Sequence, residues 1–240
     1  MTSIASFPAK PKVIRATATT IAGKFVVAIT GFIAFGYVLG HMAGNLQVFL
    51  GQDKINTYAA GLKSLGPLLW VVRGFLIVAF IGHIHMATKL KMQSMAARPI
   101  PYQKKDTVKA TLASRTMILS GLTILSFVIY HVLHFTAHVT NPEYANLIDP
   151  MGRPDVYSMI ILGFNSIPVT MFYIIAVFLL SIHLSHGVAS MFQSLGIASS
   201  GSRKMIDAIG WLFATVVFLG FASVPVGVML GMVTLPMGGQ

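Results

Sequence analysis

The chain has 240 residues, of which 55% are hydrophobic and only 10% charged. Seventeen Lys and Arg with six Asp and Glu fall far short of the roughly 60 charged residues of a soluble domain this long, which excludes an ordinary soluble domain. The net charge of +11 lies in short basic runs between apolar stretches and lines no continuous face, so it argues for membrane topology and against nucleic acid.

About 20 consecutive apolar residues cross a bilayer as a helix that satisfies its own backbone groups. Five such stretches predict an all-α integral membrane protein, a single transmembrane domain over 1–240 with a five-helix bundle. The first runs from about 21 to 50 and ends in a polar segment holding Asp53, Lys54, Asn56 and Lys63. The second follows the Gly66-Pro67 break and covers about 67–89; a basic loop with Lys91, Arg98, Lys104, Lys105 and Lys109 comes next, and Pro99 and Pro101 disfavour a helix there. The third covers about 112–139 and leads into a Pro-rich loop that carries three of the six acidic residues. The fourth, about 156–192, is longer than a bilayer needs, and an interfacial first turn, a tilt or a bend near Pro168 would absorb the excess. The fifth, about 205–233, contains Pro225.

Thirteen of the 17 Lys and Arg fall on one side of this path, leaving Lys54, Lys63, Arg73 and Arg153 on the other. The positive-inside rule then places the N-terminal segment 1–20 in the cytoplasm and the C-terminus outside a bacterial-type inner membrane. That segment lacks the short apolar core of a signal peptide and is expected to be retained. The absence of cysteine excludes disulfides, thiolate-held zinc and Cys-ligated iron–sulfur clusters.

All eight histidines, at positions 41, 83, 85, 131, 134, 138, 183 and 186, fall in the first four stretches. One such residue alone is ordinarily a histidine hydrogen-bonded to a neighbouring helix or lying at the interface; eight together point to function. His41 comes 17 residues after Lys24 and His131 comes 16 after Arg115, so at about 1.5 Å per residue both sit some 25 Å from the cytoplasmic side. His83 precedes Lys89 by six residues and His183 precedes the end of its stretch by nine, which places both roughly 10–14 Å from that side. Two pairs at two depths suit two bis-histidine sites. Haem iron fits, because a porphyrin supplies four nitrogens and leaves two axial positions; zinc would need further protein ligands. A histidine proton relay is the competitor, although it lacks buried carboxylates. Gly36, Gly40 and Gly44, one turn apart beside His41, would let a flat ligand or a helix approach.

These residues carry a resemblance. The run Gly40-His41-Met42-Ala43-Gly44-Asn45-Leu46, His83-Ile84 with Ala97-Arg98-Pro99 and Tyr102, Ser114-Arg115, Ser120-Gly121, His131-Val132-Leu133-His134-Phe135, and His183-Leu184-Ser185-His186-Gly187 leading through Ser190 and Gln193 to Gly196 resemble the cytochrome b subunit of succinate dehydrogenases and fumarate reductases. The likeness is to the five-helix, di-haem, single-anchor type and covers nearly the whole chain. It implies two haem b groups, with His41 and His131 as axial ligands of the outer haem and His83 and His183 of the inner; His85, His134 and His186 are the alternative ligands. Some members carry a glutamate linked to proton movement two residues before the fourth-span ligand, where this chain has Ser181. Lys89, Lys91 and Arg115 at the inner level, and Arg73 at the outer, are the candidate propionate contacts.

The resemblance further implies a flavoprotein and an iron–sulfur subunit docked on the cytoplasmic face, with the second loop and Lys10 to Arg15 as the docking surface. Menaquinone or another quinone would be the electron partner, near the outer ends of spans one to three, and the complex could form a higher oligomer. No segment here can bind a flavin or dicarboxylate, so the chain would relay electrons and not itself oxidise succinate. Fumarate reduction, a cytochrome b for another quinone-linked dehydrogenase, and a colourless transporter or structural membrane protein are the competing expectations.

Overall fold

The computed structural model describes residues 16–97 and 112–236. They form seven α-helices: α1 (Ala16–Leu46), α2 (Gln52–Ser64), α3 (Pro67–Ala96), α4 (Leu112–Phe135), α5 (Val156–Phe164), α6 (Ile167–Ser194) and α7 (Arg203–Met229). Five of these, α1, α3, α4, α6 and α7, are long and apolar enough to cross a membrane. Among the described residues the only β pairing is an isolated bridge between Ile148 and Pro154.

Glycine and proline mark the helix ends. Pro67 opens α3 in its first turn, where its missing N–H costs nothing. At the other end of a span, Gly196 closes α6 with φ 74°. Its N–H bonds the Gln193 carbonyl and that of Ile197 bonds Phe192, a Schellman turn that only a residue tolerant of the left-handed region accommodates well.

α6 and α7 form the centre of the bundle and run antiparallel, with Gly210 set against the backbone of Ser185. α1 packs on both, α3 packs on α1, and α4 packs on α6. α1, α4 and α7 share one direction, which gives the bundle a near end where they begin and a far end where they finish. Large apolar side chains such as Trp70, Val78 and Phe32 stay exposed on the outer faces, as expected of surfaces solvated by hydrocarbon.

The structure redraws the connections. The polar segment after the first stretch contains the helix α2. The fourth stretch is two helices, α5 and α6, interrupted at Asn165 and Ser166, with Pro168 in the first turn of α6. α3 continues to Ala96, and α4 ends at Phe135. The short α5 is buried almost all round, and with α2 it caps the far end over a core of Val48, Ile55, Ile160, Phe164, Tyr173, Val224 and Val228. Lys10 to Arg15, Arg98, Tyr102, Lys104, Lys105, Lys109 and the side chain of Arg115 lie outside the described residues.

Candidate functional site

His41 and His131 meet across helices that are not packed together. α1 and α4 make no extensive backbone contact, yet the rings of His41 and His131 face each other across them, centroids 5.7 Å apart and planes at 79°. Tyr37 stacks on His41 at 5.5 Å and Phe221 lies 5.7 Å from it. Phe127, Phe135 and Tyr173 surround His131. Asn45 donates to the His41 carbonyl at 2.8 Å, which brings its amide over the same ring.

α3 and α6 likewise make no extensive backbone contact, and they carry His83 and His183, which lie within electrostatic reach of each other. Each ring is held by a hydroxyl from a third helix. Thr30 Oγ1 of α1 lies 3.2 Å from His83 Nδ1, and Ser120 Oγ of α4 lies 3.2 Å from His183 Nδ1. Glycine follows each hydroxyl. A Cβ on Gly31 would stand 3.3 Å from His83 Cε1, and one on Gly121 would stand 3.7 Å from His183 Cε1.

Thr30 precedes His41, and Ser120 precedes His131, by the same eleven residues. Three helical turns therefore separate the two histidine levels on both helices, a rise of about 16 Å.

The remaining histidines are placed differently. His134 is 1% exposed, stacks on Phe135 and has its Nδ1 3.0 Å from the Tyr173 hydroxyl, which also lies 3.4 Å from His131 Nδ1. His85 is exposed and lines a surface hollow of about 520 Å³ with Thr88, Lys89, Met92 and Gln93. His186 lies within electrostatic reach of Asp207. His138 closes the turn after α4 with φ 53°. Among the candidate cations, Arg73 stands over Trp70 at 5.0 Å and within electrostatic reach of Tyr37, beside the far level. Lys89 lines the hollow, and Lys91 is exposed at the near end.

A polar clasp at the far end had no counterpart in the sequence reading. Asn56, fully buried, donates to Asp155 at 2.9 Å and Asp149 at 3.2 Å and accepts from the Tyr157 amide. Arg153 pairs with Asp149 at 2.6 Å and with Asp53 at 2.9 Å, and donates to Thr57. Asp155 caps α5 by accepting from the Ser158 amide and also accepts from Gln52. Burial acts to raise the Asp149 carboxyl, but bonds from Arg153, Asn56 and the Met151 amide outweigh it and hold the group at about 2. Asp155 is lowered in the same way: bonds from Asn56, Ser158 and Gln52 overcome its burial. The clasp ties α2 to the loop before α5 at the far end.

Two imidazoles per level, from helices that stand apart, suit a flat ligand carrying an ion between them. No group of three or more His, Asp or Glu that could hold a metal occurs among the described residues. Open space stands beside Gly36 and Gly40 on α1, and beside Gly187, one turn beyond His183. Gly44 is different, because Tyr58 packs against it. No protein-family model, curated protein or solved structure matches the chain.

Proposed function

We propose that the chain is the haem-bearing membrane anchor of a succinate:quinone oxidoreductase, carrying electrons between an iron–sulfur partner subunit and a quinone. The observation that carries this reading is the pair of histidine couples, His41 with His131 and His83 with His183, at two levels and each across helices that stand apart. Haem bound at each level would supply a one-electron carrier.

The protein's own residues bind and insulate. Tyr37, Phe221, Phe127 and Phe135 exclude water from the outer couple, while Thr30 and Ser120 orient the inner one. Arg73 is positioned to meet an anionic propionate at the outer level, and Lys89 and Lys91 lie at the end nearer the inner one. The excess of Lys and Arg at the near end supports a cytoplasmic near end, where the dehydrogenase subunits would dock.

The test adds succinate to membranes containing the chain and its partner subunits. Reduction of b-type haem absorbance by succinate is expected. Haem that dithionite reduces and succinate does not would assign the chain to a different quinone-linked dehydrogenase.

A further inference from the structure

The hydroxyls of Thr30 and Ser120 each carry one proton, and each has a backbone carbonyl of its own helix within reach of it. Thr30 Oγ1 donates to the Val26 carbonyl of its own helix at 2.7 Å. Ser120 Oγ donates to the Met117 carbonyl at 3.1 Å. Serine and threonine commonly spend their proton on such a backbone carbonyl within a helix. A hydroxyl that gives its proton to the backbone meets the imidazole nitrogen 3.2 Å away as an acceptor, and the nitrogen then brings the hydrogen; at His83 the Val27 carbonyl is a further acceptor.

We infer that Thr30 and Ser120 are positioning residues that fix His83 and His183 in the tautomer protonated on Nδ1, leaving Nε2 of both rings as the ligating nitrogen. The inference rests on the di-haem reading and extends it to the inner level alone. The outer level is built otherwise. His131 shares the Tyr173 hydroxyl with His134, and His41 is contacted by an amide of its own helix. Two helices that are not neighbours in the chain thus supply the same device, a hydroxyl followed by a glycine, to the two rings of one level. Gly31 leaves room for it, because a Cβ there would press on the ring that Thr30 holds.

A second-shell acceptor for the Nδ1 hydrogen makes the imidazole a more basic ligand, and losing such a partner typically costs roughly 10–100-fold in metal affinity or activity. The test uses the purified complex with Thr30→Val or Ser120→Ala, its haems titrated by spectroelectrochemistry and counted per chain. Each variant is expected to raise the midpoint potential of one haem and leave the other unmoved, with Thr30→Ser and Ser120→Thr restoring the original value. Where a variant loses that haem instead, the same restoration by the hydroxyl swap supports the assignment, and failure to restore it marks simple packing and overturns it. Unchanged midpoints in both variants would also overturn it. Nitrogen-15 shifts of labelled histidine in the haem-free chain give an independent readout: Nδ1 protonated on His83 and His183 supports the assignment and Nε2 protonated defeats it. A native chain that carries no haem would defeat the di-haem reading without touching this second result.

Discussion

The rings of His41 and His131 meet edge to face, 5.7 Å between centroids, although α1 and α4 are not packed backbone to backbone. Side chains that reach across a gap between helices have a different energetic role from side chains within a packed seam. On the proposed reading, their removal deprives a haem of its anchor.

Replacing His41 or His131 with alanine is therefore expected to remove one haem of two while the other remains, and replacing His83 or His183 to remove the other. His85→Ala, at an exposed position, should leave both. A pyridine haemochrome assay per chain checks this, and loss of haem in His85→Ala alone would reassign the inner ligand.

Tyr173 serves a fully buried histidine. With Tyr173→Phe, His134 Nδ1 loses the hydroxyl 3.0 Å away, and a buried polar atom left without a partner costs about 1–3 kcal/mol. Thermal or denaturant unfolding in detergent should show that loss; unchanged stability would mean that His134 finds another partner.

The far-end clasp sets a pH window. Asp149 is held at about 2 against an ordinary value of 3.8. A carboxyl lowered by folding contributes stability that is complete above its unfolded value and is lost as pH falls through the folded one. The difference in Tm between the native chain and Asp149→Asn should thus stay constant from neutral pH to about 4 and shrink as pH falls toward 2. Shrinkage between neutrality and pH 5 would contradict the ion-paired clasp.

Glycine substitutions separate packed from open helix faces. A Cβ on Gly210 would fall 2.5 Å from the Ser185 carbonyl oxygen, whereas one on Gly74 meets nothing within 4 Å. Gly210→Ala should force α6 and α7 apart at a cost of about 1–3 kcal/mol, and Gly74→Ala should be neutral or slightly stabilising. Unfolding in detergent distinguishes the two, and equal behaviour would contradict the close approach of α6 and α7.

Hydropathy made the five spanning helices legible, because a run of apolar residues needs no tertiary partner to declare itself. α2 was not legible. Its sequence is polar, and what holds it is Asn56 reaching Asp149 and Asp155, residues nearly a hundred positions away. The break at Asn165 and Ser166 was hidden for the opposite reason, since the residues on both sides of it are apolar. Counting residues from Lys24, Arg115 and Lys89 was enough to put the histidines at two levels, because helical rise is constant. Thr30, Ser120 and Tyr173 could not be found that way, as each acts on a ring from another helix. Eleven-residue spacing to the next histidine was the one signal available, and it becomes meaningful only once both helices are known to run in the same direction.

The most direct test is a dithionite-reduced minus oxidised spectrum of the protein purified from its native membrane, with haem quantified per chain. Two b-type haems per chain are expected. A colourless preparation would contradict the paired-histidine account and make transport, with the membrane histidines as a proton relay, the leading reading.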